Sequence, residues 1–513
     1  MPSRLTLAVL GILLFVVAAT YTTRLDYAPI YLMQDEVNFS LQAQSVAASG
    51  RDTNGRLLPV YFSETGFEPG RDPIIIYAQA LALRVLPLSE RAVRLPTACL
   101  GVLSVLLMFL VGRRVFEKDR VGLLAAALLA VTPAHFVNSR LALSAIYPVP
   151  FILVWLLCLT YVTDVTPSST ESPGTERRAA LIGAGLSLGA GVFSYVACLV
   201  MMPLYLVLSA WFLWKRDRGR SVRVILLGFA VGVIPLVWWH IEFPNRFTSL
   251  VSIYHLYDGQ PLRDRISVVW SFFSPDYLFI SGDSRITNST RTAGMFPLAC
   301  AVLMPIGAFH LARGRAGAIG SVILFGLLTA PLASAVSGKL DINRVLVALP
   351  FGVLAAIAGV EYLLADQKRA IRMTALALLG AAVLQFRAVY ADYMGPYRVM
   401  SAPWFGGNAR AAVTEVLRRS EGVTPPVYLN LRTPIERYWR FYALAGGRAD
   451  LAGHPTYYDP GRFRTGEPAL GSLLVCELTM GNCGLFTSAS PWNLVSTISE
   501  PDGSPSFALY QRR

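Results

Sequence analysis

Two adjacent carboxylates, Asp35 and Glu36, follow the first long apolar run of the chain. A carboxylate placed there can take a proton from a reacting hydroxyl, hold a metal ion, or simply cap a helix. Residues 34–49 read as a short polar helix outside the lipid core. Asp35 can cap it, Val37 and Leu41 share one face at i,i+4, and Gly50 stops it. Successive helical residues point about 100° apart, so the two carboxylates cannot both face one reacting atom. One is expected to point into a cavity, and the other to hold structure or a metal. The positive end of the helix favours the ionised form, which suits a carboxylate base.

The elements that must position these residues are membrane helices. The chain is 54% hydrophobic and 15% charged, with mean hydropathy +0.49, too apolar for an ordinary soluble protein. Runs long enough to cross a bilayer are expected at 5–22, 91–112, 121–138, 142–163, 179–195, 197–214, 222–240, 293–312, 316–336, 343–363 and 371–391, about eleven spans. The net charge of +13 reads as topology and not as nucleic-acid binding. With the N-terminus inside, the loop 113–120, the one ending at Arg177-Arg178, 215–218, 313–315 and Lys368-Arg369 are inner loops with basic membrane edges, as the positive-inside rule requires. The outer face then receives loops at about 23–90 and 241–292 and everything after about 391. The first span reads as an uncleaved anchor, since Val17-Ala18-Ala19 is a poor cleavage site.

The expected architecture is a polytopic α-helical membrane protein with juxtamembrane helices. A membrane module covers 1–391, and a soluble α/β domain on the outer face covers 392–513. Residues 73–87 are apolar but too short to span, so they are expected in the interface. In the C-terminal region, helix-like patterns at 406–420 and 433–445 alternate with strand-like runs at 427–431 and 473–476, and a hairpin is expected over 494–510. Cys476 and Cys483 lie where oxidation is permitted, and a local disulfide is one candidate pairing. Cys99, Cys158, Cys198 and Cys300 fall in apolar runs and behave as small apolar residues. His135, His240 and His255 lie near span ends, where interface packing is the expectation. No Cys or His spacing resembles a zinc site.

The order of these features resembles the GT-C glycosyltransferases, and more closely the family that includes protein O-mannosyltransferases and the lipid A aminoarabinose transferase. The residues carrying the resemblance are Gln34-Asp35-Glu36-Val37-Asn38-Phe39-Ser40-Leu41-Gln42-Ala43 and Gly55-Arg56-Leu57-Leu58-Pro59-Val60-Tyr61-Phe62, together with the multi-span layout and the outer C-terminal domain. The resemblance implies an inverting transfer of a sugar from a polyprenyl-phosphate donor to an acceptor hydroxyl at the outer face. Asp35 would be the general base, with Glu36 beside it. Family members also carry a second acid in the first outer loop. Here Glu68 and Asp72 are the candidates, with Glu64 close by, in a stretch that departs from the Glu-Lys-Pro-Pro pattern of the aminoarabinose enzymes. The leaving phosphate calls for cations, which arginine supplies through paired hydrogen bonds. Arg263, Arg265, Arg285 and Arg291 lie in the second outer loop, and Lys339 and Arg344 beside a later span. Arg344 is favoured, because an arginine at the edge of the lipid core is costly without a partner. Some relatives use a divalent cation, so magnesium or manganese held by Asp35 and Glu36 is an alternative role for the pair; no organic cofactor is expected.

The implied partners are the lipid-linked donor, a lipid, glycan or protein acceptor, and membrane lipids, with no nucleic acid. The implied location is the cell membrane, with the N-terminus cytoplasmic and the C-terminal domain periplasmic. A transporter or lipid flippase is the rival reading. Transporters bury ionisable groups mid-span, whereas the span interiors here are almost free of charge. A lipid-linked glycan ligase or polymerase of the same superfamily also stays open.

Overall fold

The computed structural model describes residues 2–64, 67–163, 174–217, 219–245, 261–314, 316–421, 424–430, 433, 435–453, 455–459, 461–478, 483 and 490–513. The chain forms two compact units, one of Met1–Thr23, Leu58–Ile75 and Leu95–Tyr390, the other of Arg24–Leu57, Ile76–Arg94 and Ala391–Arg513. The second unit therefore draws on the first long loop as well as the C-terminal region.

The first unit is mainly helical, with a two-stranded sheet in Leu58–Ile75. Seven helices among the described residues are long and apolar enough to cross a membrane, including Arg4–Thr22, Glu90–Phe116, Ser144–Val162, Arg220–Glu242 and Ile342–Leu364. The span expected at 121–138 is a bent pair, Asp119–Ala130 and Pro133–Ser139, with 63° between its halves. Pro133 accounts for the break, since its ring removes a backbone donor and clashes with the preceding turn. The helix expected from 293 begins only at Cys300, and those at Cys198–Trp214 and Cys300–Ala312 are short for a span. The helix in the region of 179–195 runs over Thr175–Gly191.

Small residues let these helices approach closely. Gly185 and Gly189 on Thr175–Gly191 face Gly228 and Gly232 on Arg220–Glu242. A Cβ on Gly185 would lie 2.1 Å from the Ile225 carbonyl oxygen, and one on Gly189 2.6 Å from that of Phe229. In lipid, where apolar burial gives no drive, such backbone contact is a main source of helix association.

The second unit carries a five-stranded sheet. With the two short strands of the first loop counted as β1 (Phe62–Glu64) and β2 (Phe67–Arg71), its strands are β3 (Val427–Asn430), β4 (Thr456–Tyr458), β5 (Leu473–Glu477), β6 (Trp492–Ser499) and β7 (Pro505–Arg512). The order is β4-β3-β5-β7-β6, with β3 parallel to both neighbours and the β6–β7 hairpin antiparallel. Leu473 to Cys476 are buried in succession, the pattern of a central strand covered on both faces. Cys476 and Cys483 are joined by a disulfide of 1.94 Å beside a core of Tyr458, Leu474, Trp492 and Tyr510. Helices Ala409–Arg419 and Ile435–Ala445 pack together, and Gln34–Ser49 packs on the latter.

Candidate functional site

The helix of the two carboxylates runs Gln34–Ser49, and Gly50 closes it at φ 71°. Its cap is not Asp35. The residue with cap geometry is Met33, extended at φ −69° and ψ 158°, and its backbone N–H donates to Glu36 Oε2 at 2.8 Å. Glu36 is thus the carboxylate that satisfies the helix start, from the third helical position, where a glutamate can reach back to the cap N–H. Asp35, one residue earlier, is half-buried in the first turn. The capping role read for Asp35 from sequence passes to its neighbour.

Glu36 is fully buried and pairs with Arg94, also fully buried. Arg94 Nε donates to Glu36 Oε1 at 2.9 Å and Nη2 to Oε2 at 3.0 Å. The rest of the guanidinium holds the loop before the helix. Nη1 donates to the carbonyls of Leu25 (2.7 Å) and Pro29 (2.8 Å), and Nη2 to that of Tyr31 (2.6 Å). A guanidinium has five N–H groups, and all five are used. One buried cation therefore fixes both the segment entering the helix and the carboxylate that starts it. Glu36 Oε2 accepts from both the Met33 N–H and Arg94 Nη2, and Oε1 from Arg94 Nε, so a divalent cation shared by Asp35 and Glu36 would compete with the guanidinium for Glu36. Among the described residues no three His, Cys, Asp or Glu side chains cluster as a metal site.

A second buried carboxylate supports the same unit. Glu90 accepts from the Tyr442 hydroxyl at 2.6 Å and from Arg410 Nη1 at 2.9 Å. One turn earlier on the helix Ile435–Ala445, the Tyr438 hydroxyl donates to the Leu32 carbonyl at 3.0 Å. Burial pushes the Tyr438 phenol well above its ordinary range, and the Glu36 and Asp35 charges raise it further. Tyr438 therefore stays a neutral donor beside the start of the carboxylate helix. Sequence alone does not single out Arg94, Glu90 or Tyr438. The usable signal is Arg94 itself, an arginine at a span edge, where a charge needs partners as much as Arg344 does.

In the first unit, two loops are bonded to each other. Asp283, buried, accepts from the backbone N–H of Arg285 and of Ile342, both at 2.8 Å. Arg285 pairs with Asp341 at 3.0 Å, and Asn288 donates to Asn343. Burial raises the Asp283 carboxyl above its usual range, against the two backbone bonds that lower it. This junction brings together the loop of Arg285 and Arg291 and the loop of Lys339 and Arg344. Arg285, Arg291 and Lys339 are exposed and Arg344 is half-buried. Among the described residues only Arg285 of these four is ion-paired. Asp72 is buried, in the first unit. The side chains of Glu64 and Glu68 and the chain around His255 lie outside the described residues. Arg263 and Arg265 lie on helix Leu262–Phe272, where, among the described residues, Arg263 pairs only with its neighbour Asp264.

His135 is buried in the bend of the first unit, its Nδ1 2.9 Å from the Tyr21 hydroxyl. Nearby, Arg140 Nη1 donates to the carbonyls of Thr20, Tyr21 and Thr23 at 3.2, 2.8 and 2.9 Å. Those carbonyls close the helix Arg4–Thr22, the end at which a cation is stabilising.

Residues 68–239 match the family model described as dolichyl-phosphate-mannose-protein mannosyltransferase, a stretch that begins beyond Asp35 and Glu36. No curated protein matches the chain. Among solved structures, ArnT from Cupriavidus metallidurans is similar in its apo state over 98% of this chain and 97% of its own, at 14% identity and TM-score 0.61. The same protein bound to undecaprenyl phosphate is similar over the same shares, at 13% identity and TM-score 0.60. The archaeal oligosaccharyltransferase AglB from Archaeoglobus fulgidus, in complex with an inhibitory peptide and a dolichol-phosphate, is similar over 93% of this chain and 70% of its own, at 13% identity and TM-score 0.55. The chain shares the fold of these proteins, and in it apolar helices are joined to a smaller C-terminal sheet.

Proposed function

We propose that the protein is an inverting glycosyltransferase of the membrane that uses a polyprenyl-phosphate-linked sugar, with Asp35 as its general base. The observation that carries this reading is the position of Asp35, half-buried in the first turn of a helix whose start is held by Glu36 and Arg94. Glu36 is committed to the helix start and to Arg94, while Asp35 stands half-buried in the same first turn. The helix N-terminus there favours an ionised carboxylate. The undecaprenyl phosphate bound by ArnT and the dolichol-phosphate bound by AglB support a lipid phosphate as the donor's leaving group.

In the reaction, the acceptor oxygen forms a bond to the anomeric carbon as the carbon–oxygen bond to the lipid phosphate breaks. The phosphate leaves with the electron pair, and the acceptor proton passes to an Asp35 carboxylate oxygen. Phosphate is a good leaving group, so a base that accepts the proton late suffices. The arginines of the Asp283 junction, Arg344 first and Arg285 and Arg291 with it, are the proposed ligands for the developing phosphate charge, with Lys339 beside them. Asp72 or Glu68 is the proposed second acid. Glu36 acts through position, holding the turn that presents Asp35. The face carrying this chemistry is proposed to be the outer one, with the basic loops 113–120, 313–315 and 368–369 inside.

The test is Asp35→Asn in purified full-length protein given polyprenyl-phosphate sugars, with products read by mass spectrometry. Loss of a general base costs about 10²- to 10⁴-fold in rate. The variant should lose transfer by at least about 100-fold at an unchanged melting temperature. Full transfer by the variant would remove Asp35 as the base.

A further inference from the structure

The first unit holds a cavity of 1080 Å³ that no step of the proposed transfer uses. Its walls include the ends of three apolar helices, Glu90–Phe116, Cys300–Ala312 and Ile342–Leu364. The last of these fixes its distance from the Asp283 junction. Ile342, bonded to Asp283, begins the helix, and Glu361 lies in its last turn. A helix of 23 residues is about 34 Å long. The cavity therefore lies at the opposite end of this helix, where apolar spans give way to polar loops.

The lining carries both signs. Arg114, Lys118 and Lys368 are basic, and Glu117, Glu361 and Asp366 are acidic. Lys118 and Glu361 are ion-paired at the wall. The Arg114 guanidinium stacks 3.9 Å over the ring of Tyr161. The lining also includes the apolar residues Leu311, Ile319 and Ala358. His310 packs against Tyr362 with ring centroids 4.7 Å apart. A purely anionic ligand would face three carboxylates, and a purely cationic one three basic groups. A zwitterion with an apolar tail meets neither obstacle. An ammonium can donate hydrogen bonds to carboxylates, which a quaternary amine cannot.

We propose that this cavity binds an ethanolamine phospholipid, with its phosphate against Arg114, Lys118 and Lys368, its ammonium against Glu117, Glu361 and Asp366, and its upper acyl chains along Leu311, Ile319 and Ala358. The volume is ample for a headgroup and the first part of two chains. The lipid bridges the Lys118–Glu361 pair and extends it into a run of alternating charge. This site is independent of the sugar-transfer reading and stands or falls without it.

Native mass spectrometry of the full-length protein in mild detergent tests it, with phosphatidylethanolamine, phosphatidylcholine and phosphatidylglycerol titrated separately. One equivalent of the ethanolamine lipid should be retained at roughly tenfold lower concentration than either of the others, about 1.4 kcal/mol. Asp366→Asn, which leaves the Lys118–Glu361 pair intact, should erase the preference over the choline lipid. Glu361→Gln with Asp366→Asn should turn it toward phosphatidylglycerol. Equal retention of all three lipids by the unaltered protein overturns the proposal, as does undiminished ethanolamine preference in a monodisperse Asp366→Asn variant.

Discussion

The Glu36–Arg94 pair invites a double-mutant cycle whose size follows from its geometry. Both side chains are completely buried. Removing one partner of such a pair costs about 3–5 kcal/mol, because the survivor stays buried and charged. Arg94→Met also orphans the carbonyls of Leu25, Pro29 and Tyr31, each a further loss of about 1–3 kcal/mol where the loop cannot turn to water. That single change should therefore be the worse, at about 6 kcal/mol or more, comparable to the whole stability of a typical domain. Glu36→Gln should cost about 3–5 kcal/mol for the stranded guanidinium. In the double variant neither charge of the pair remains, so its loss should fall short of the sum by about 3 kcal/mol. The assay is thermal unfolding in detergent at one fixed scan rate, since membrane proteins rarely unfold reversibly. Additivity of the two losses to within about 0.5 kcal/mol would refute the claim that these groups act as one buried unit.

Further predictions concern the other load paths. Asp283→Asn replaces one of two accepting oxygens with a donor. It should loosen the junction with Ile342 by about 1–3 kcal/mol, read as faster proteolysis within 281–292. Because burial raises the Asp283 carboxyl, the folded state binds its proton more readily than the unfolded chain. Its contribution is largest below the unfolded carboxylate range and declines as pH rises through the folded value. The melting temperature of the unaltered protein relative to Asp283→Asn should accordingly fall as pH rises from the ordinary carboxylate range to neutrality, and a constant gap across that whole range would contradict this. Gly189→Leu drives a side chain into the backbone of Phe229 and Gly232 and should cost about 1–3 kcal/mol or more, seen as a lowered melting temperature. Joint replacement of Cys476 and Cys483 by Ser releases a loop with a sequence separation of 7 and should destabilise the second unit by about 2 kcal/mol, read by hydrogen exchange of β5 and β7.

Much of the fold is legible in the sequence because its signals are local. Gly50 ends the carboxylate helix where it should, and the strands at 427–430, 473–477 and 492–512 follow their apolar runs. What escapes is whatever depends on distant partners. β4 is three residues, too short to show alternation, and exists because it pairs with β3. The bend at Pro133 sits inside an apolar run whose hydropathy is continuous. In the candidate site, Asp35 and Glu36 are visible as a pair, but which of them caps the helix is decided by Arg94, 58 residues from Glu36. The span-edge cost that singles out Arg344 applies equally to Arg94. Sequence alone does not show that Arg94's partners are a carboxylate and three main-chain carbonyls.

The bonds that hold the carboxylate helix in its unit reach almost the length of the chain. Tyr438 meets the Leu32 carbonyl across 406 residues and Tyr442 meets Glu90 across 352. Contacts of such sequence separation are slow to form, because the loop must close before the contact rewards it. During synthesis, the segment bearing Asp35 emerges first and must wait, without its final support, until the helix Ile435–Ala445 has been made. A chain halted before that helix would carry every span and both carboxylates, yet lack the bonds of Tyr438 and Tyr442 to Leu32 and Glu90. The N-terminal segment thus gains these two hydrogen bonds only once the helix Ile435–Ala445 has been made.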